Sequence, residues 1–187
     1  MAGDDRAFTP ALESFRKRLP WLSINLLTAF LASAVVLSFE SLLDALPVLA
    51  AFMPIVAGMG GNAGTQTLTV IVRGIALGEL TWSNARKALL KEVAVGIANG
   101  LVLGLAAAAV VSLLQGNPVL GGVLGLAMII NMFVAAAAGT LVPLGLRAAN
   151  VDPALASSVF ITTMTDMFGF FSFLGLARLF MQYLVTP

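Results

Sequence analysis

A run of about twenty apolar residues is long enough to cross a hydrocarbon core about 30 Å thick, and this sequence contains five. They run from about Trp21 to Phe39, Ala45 to Val72, Val93 to Leu114, Leu120 to Leu146 and Pro153 to Leu184. The connectors are short: Glu40 to Asp44, the charged segment Arg73 to Glu92, the Gln-Gly-Asn-Pro turn at 115–118, and Arg147 to Asp152. Only 10% of residues are charged and 59% are hydrophobic, against about 25% charged in a soluble domain. A water-soluble fold has no interior large enough for so much apolar surface. The expected fold class is therefore all-α integral membrane with five transmembrane helices, multi-pass in the cell membrane. The first run, from about Trp21 to Phe39, is also too long for a signal-peptide core, so a retained span is expected.

Residues 1–20 read as a short cytoplasmic interfacial helix and residues 21–187 as one five-span pore domain. Thr9-Pro10 is a helix start, and Phe8, Leu12, Phe15 and Leu19 then fall on one face at spacings of four, three and four. Such a helix lies along the membrane surface with its basic residues near lipid head groups. With the N-terminus inside, Arg6, Arg16, Lys17, Arg18, Arg73, Arg86, Lys87, Lys91 and Arg147 are cytoplasmic and only Arg178 lies near the outer face. That bias predicts a cytoplasmic N-terminus and an outer C-terminus. Glu40 and Asp44 then face outward in a five-residue connector, either drawing cations to a mouth there or serving as ordinary loop acids.

Cysteine and histidine are both absent. Disulfides, Cys/His zinc sites, Ser-His-Asp triads and histidine proton relays are excluded together. A metal must be held by oxygen, which selects hard cations such as Mg²⁺, Ca²⁺ or Mn²⁺. The net charge of +1 carries no case for nucleic acid, and none is expected as a partner.

Glycine placement separates packing from function. Gly96, Gly100 and Gly104 form a small-residue stripe that lets another helix approach. The second span carries Pro54, Gly58, Gly60, Gly61 and Gly64 beside Asn62, Thr65, Gln66 and Thr67. Backbone so poorly suited to a regular helix is tolerated at membrane depth when buried in protein or lining water, and interrupted spans are where transporters expose carbonyls to ions. The four glycines are expected to resist substitution; a tight helix crossing is the alternative explanation.

Of nine acidic residues, eight (Asp4, Asp5, Glu13, Glu40, Asp44, Glu79, Glu92 and Asp152) fall in the tail or connectors by this reading, leaving Asp166 alone inside a span. A carboxylate there costs at least about 2.5–3.5 kcal/mol and faces a bundle interior or a water-filled cavity. No Lys, Arg or His in another span can neutralise it, so its partner is a proton, water or a cation. Thr162 and Ser158, at steps of four, share its helix face. The alternative is a protonated, structural aspartic acid hydrogen-bonded to Asn99 or Asn131.

The second-span core Gly-Met-Gly-Gly-Asn-Ala-Gly-Thr-Gln at 58–66 and the fifth-span Thr-Thr-Met-Thr-Asp-Met-Phe-Gly at 162–169 resemble the transmembrane domain of the MgtE family of magnesium channels. The resemblance extends from about Phe15 onward. It implies a homodimer with one pore at the subunit interface, lined by the second and fifth spans, with Asp166 as the pore aspartate and Asn62 to Gln66 as the matching second-span stretch. Family members carry a cytosolic N-terminal domain and paired CBS domains, and only some twenty residues precede the first span here. The expectation is either a short natural member or a membrane domain alone, and the family's intracellular gating does not carry over.

Together these readings make Asp166, Thr162, Ser158, Asn62 and Gln66 the candidate metal site, with Mg²⁺ the transported ion and Mn²⁺, Co²⁺ or Ca²⁺ open alternatives. Mg²⁺ dehydrates reluctantly. Two Asp166 carboxylates facing each other could hold the hydrated ion while hydroxyls and amides accept from its waters. No enzyme is expected. A cation-coupled secondary exchanger and a non-transporting membrane scaffold remain the rival classes.

Overall fold

The computed structural model describes residues 8–185, apart from the side chains of 154–157 and 185. Those residues form seven helices: α1 (Ala11–Leu37), α2 (Glu40–Ala45), α3 (Val48–Ala76), α4 (Ala85–Gln115), α5 (Pro118–Ala148), α6 (Pro153–Leu179) and α7 (Met181–Val185). Five of them, α1, α3, α4, α5 and α6, are long and apolar enough to cross a membrane. Many large apolar side chains, such as Leu26, Phe30, Leu105 and Leu113, point outward. That is the surface hydrocarbon wets without penalty.

Three boundaries differ from the sequence expectation. Helix α1 runs unbroken through Leu19 and Trp21 with Pro20 inside it, so the amphipathic segment and the first span are one helix; residues 1–7 lie outside the described ones. Helix α3 is also continuous from Val48 to Ala76 despite Pro54 and its glycines, so the second span is not interrupted. With no water to compete for backbone groups, the intrahelical ladder outweighs glycine's low helix propensity. Helix α4 begins at Ala85, which moves Glu92 out of the connector and two turns into a span.

The bundle is organised around α5, the most buried of the long helices. Helix α4 packs along it through glycine. A Cβ at Gly104 would lie 2.7 Å from the Gly125 carbonyl oxygen, at Gly100 2.9 Å from Ile129 Cα, and at Gly96 2.8 Å from the Met132 carbonyl oxygen. The small-residue stripe is therefore a packing seam. Helices α3 and α6 lie on α5 and on each other, and α1 packs chiefly on α6. Pairings of Gly60 with Asn131 and Gly139 with Thr67 make α3 and α5 parallel, whereas Gly60 and Gly169 meeting at Asn131, with Gly64 at Ile161, make α6 antiparallel to α3.

The turns follow their residues. Gly116 takes a left-handed conformation (φ 65°) that ends α4, a backbone shape glycine adopts without strain. Asn117 then caps α5, its Oδ1 accepting from the Val119 and Leu120 amides at 2.9 and 3.1 Å, with Pro118 at the first helical position. At the other end, Leu80 inserts between Ile71 and Leu144, and the Arg147 guanidinium donates to the Leu80 carbonyl at 2.9 Å.

Candidate ion pathway

Ile161, Thr165, Gly169 and Phe173 recur at steps of four, which puts them on the buried face of α6, against α5 and α3. Asp166 and Thr162 sit one residue further round, half-buried, and Ser158 is exposed. Asp166 is the fourteenth of the 27 residues of α6, about 20 Å along it at 1.5 Å per residue. Its carboxylate borders an open groove of about 390 Å³ between α1 and α6, lined by Ala29, Ala32, Ser33, Val36, Leu37 and Phe170. Small residues on α1 leave this space.

No hydrogen bond or ion pair to the Asp166 carboxylate is present among the described residues. The two amides weighed as neutral partners are engaged elsewhere. Asn131 Nδ2 donates to the Val56 carbonyl at 2.8 Å, and Asn99 lines a different cavity, between α3 and α4. The hydroxyls near Asp166 are turned to their own helix. Thr162 Oγ1 donates to the Ser158 carbonyl at 3.0 Å, and Thr165 Oγ1 to the Thr162 carbonyl at 3.0 Å. Donating backward leaves the Thr162 oxygen with lone pairs available as an acceptor.

Asn62 and Gln66, one turn apart on α3, both lie on its exposed face, away from the buried row Val56, Gly60, Gly64, Thr67 and Ile71. The antiparallel register puts Asn62 level with Thr165 and Asp166, and Gln66 level with Ile161 and Thr162. Within one subunit, then, four of the candidate residues share two heights, Ser158 lies one turn beyond Thr162, and the five do not converge on one cavity. Gln66 also lines the α3/α4 cavity.

The second-span glycines divide. A Cβ at Gly60 would collide with the Asn131 amide and one at Gly64 with the Ile161 side chain, whereas Gly58 and Gly61 face open space. Helix packing within the subunit therefore accounts for Gly60 and Gly64 but not for Gly58 and Gly61.

Sequence reading also missed Glu92. It is 5% exposed, receives a hydrogen bond from Thr67 Oγ1 at 3.4 Å, and pairs with Lys91 Nζ at 2.6 Å. It falls four residues before Gly96, in register with the stripe Gly96, Gly100, Gly104 that faces α5. That periodicity was the available signal.

Similarity to known proteins agrees with this architecture. The MgtE family model, described as a divalent cation transporter, matches residues 53–176. The chain is 38% identical over 174 residues to a protein from Enterococcus faecalis, covering 93% of this chain and 38% of that one. It is 36% identical over 165 residues to a protein from Thermus thermophilus, covering 88% and 36%, and 34% identical over 184 residues to one from Bacillus subtilis, covering 98% and 41%. Each of the three is named magnesium transporter MgtE. The chain spans well under half the length of these relatives. A family match over residues 53–176, laid across α3 to α6 with the Asp166 helix included, establishes that this multi-pass membrane chain belongs to the MgtE family.

Proposed function

We propose that two copies of this chain form a channel for hydrated Mg²⁺, with the ion path between them along the polar faces of α3 and α6. The observation that carries this reading is the unpartnered Asp166 carboxylate, midway along a membrane-spanning helix and beside an open groove. A charge in that position needs water or a cation, and a second copy facing the first supplies a matching carboxylate. Two carboxylates across an axis repel one another when empty and are neutralised by one divalent ion. A monovalent ion neutralises half of that field.

Asn62 and Gln66, exposed in the subunit at the heights of Asp166 and Thr162, then face the same path. Their amides and the free lone pairs of Thr162 and Ser158 accept hydrogen bonds from the waters around the ion. Mg²⁺ keeps its tightly held hydration shell, so selection acts through charge number and cavity size. With the N-terminus cytoplasmic, as the Lys and Arg distribution favours, a membrane potential negative inside drives the ion inward. The driving force is about 2.3 kcal/mol per charge per 100 mV, doubled for a divalent ion.

The names of the relatives support magnesium as the transported ion. Bi-ionic recording from the reconstituted chain, Mg²⁺ against K⁺, tests the reading. A reversal potential set by Mg²⁺ in wild type and shifted toward K⁺ in Asp166→Asn is the expected result. Flux that requires a counter-gradient of Na⁺ or H⁺ would make the protein an exchanger, and folded dimers without flux would make it a scaffold.

A further inference from the structure

We infer that the groove between α3 and α4 is a second cation site, which holds one hydrated divalent ion against Glu92. Both helices lean on α5 while barely touching one another, and the space between them is floored by Met132, Gly96 and Ala136. Into it project Gln66, Thr67, Glu92 and Asn99. This site is separate from Asp166 and does not depend on the role given to that residue.

Glu92 is not needed to complete the fold's hydrogen bonding. Its Oε2 has only the long contact from Thr67 Oγ1, 3.4 Å, and its Oε1 is met by Lys91 from the adjacent position on its own helix. The Lys91 side chain is 62% exposed and reaches in from outside. Lys91 also lines an adjoining cavity of about 290 Å³ with Glu79, Asn84 and Lys87, so its ammonium has space to withdraw into. The pair is thus a buried carboxylate held by a replaceable cation.

The cavity beside the carboxylate is about 180 Å³. At about 30 Å³ per water it accommodates roughly six waters, the first shell of an octahedral ion. No cluster of three acidic ligands is present among the described residues. Direct protein coordination, which Ca²⁺ seeks with several carboxylates, is therefore not offered. One carboxylate plus the hydroxyl and amide oxygens of Thr67, Gln66 and Asn99 is an outer-shell set. At equal distance a hydrated divalent ion is attracted to Glu92 about twice as strongly as a hydrated monovalent one, so the site favours it over Na⁺ or K⁺. Lys87 and Lys91 oppose it and weaken the site without abolishing it.

Loss of the free Mn²⁺ signal in electron paramagnetic resonance counts bound Mn²⁺ directly, and the measurement is made on this chain carrying Asp166→Asn in nanodiscs. Saturable Mn²⁺ binding, displaced by Mg²⁺ and not by equal K⁺, is expected to remain in Asp166→Asn and to vanish when Glu92→Gln is added. Adding Lys91→Met instead removes the competing ammonium and should tighten binding several-fold. A structural ion pair predicts no binding in either background. Glu92→Gln protein that folds and still binds Mn²⁺, or Lys91→Met protein that binds no more tightly than its parent, overturns the proposal. The Lys91→Met comparison decides it alone should Glu92→Gln fail to fold.

Discussion

Asn131 on α5 donates through Nδ2 to the carbonyl oxygen of Val56 on α3, 2.8 Å away, in a space that exists because Gly60 and Gly169 have no side chains. One amide thereby sits at the crossing of three helices. Its Oδ1 is buried without a partner, so the donor side is the one that holds α3. The same crossing lies one turn from Asp166, and its geometry fixes where that carboxylate stands relative to α3.

Gly60→Ala must displace the Asn131 amide, and Asn131→Ala removes the bond and leaves a void. Interhelical hydrogen bonds in membranes contribute about 0.6 and at most about 1.7 kcal/mol, so each variant should lose about 1–2 kcal/mol of stability. The double variant should lose clearly less than the sum, because the alanine at 60 fills the space vacated at 131. Unfolding free energies of the four proteins in one detergent measure the coupling. Strict additivity would mean the two sites are independent.

Asp166→Asn keeps the side-chain volume and removes the charge. Mg²⁺ affinity in the conducting protein should fall at least about tenfold, equivalent to about 1.4 kcal/mol, with K⁺ permeability rising. Asp166→Glu should be intermediate, since the charge persists but is displaced by a methylene. A folded Asp166→Asn dimer with an unaltered Mg²⁺/K⁺ reversal potential would remove Asp166 from the mechanism.

Substitutions on α3 should separate by face. Gly64→Ala meets Ile161 and should reduce stability, while Gly58→Ala and Gly61→Ala meet nothing within the subunit. Asn62→Ala and Gln66→Ala should lower conductance with the dimer intact. Thermal melts in parallel with single-channel current report both quantities; conduction unchanged in both amide variants would make them packing groups.

The chain has no cysteine of its own, so single cysteines report position without a background. Oxidative cross-linking along α6 should give dimers at Ser158, Thr162 and Asp166 and none at the buried Ile161, Thr165 and Gly169. Equal yields on both faces, or monomers throughout, would contradict a dimer axis beside the polar stripe.

The spans were legible in the sequence because hydrocarbon thickness sets a length no soluble helix has to match, and Asp166 because a lone acid stands out against an apolar run. The ends of α4 were not. Arg86, Lys87, Lys91 and Glu92 looked like a solvated connector, yet long basic side chains can reach outward from inside a helix and Glu92 is screened by Thr67 and Lys91. The continuity of α3 was missed through weighing glycine by its behaviour in water. Asn131 could be seen as polar and intramembrane, but its partner could not, since a backbone carbonyl 75 residues away carries no sequence label. The meeting of Asn62 and Gln66 with Asp166 is absent from one subunit, and belongs to the second copy in the proposed assembly.

The narrow attachment of α1 bears on how the protein is made. Helices α4 and α5 are neighbours in sequence joined by a tight turn, so their seam can close as soon as both have emerged. Helix α1 packs chiefly on α6, and 116 positions separate Leu37 from Pro153. At about 5–20 residues per second, translation of that interval takes roughly 6–23 s. Throughout it α1 must persist as a lone helix in lipid, held by its own hydrophobicity, before the surface it docks on has been synthesised.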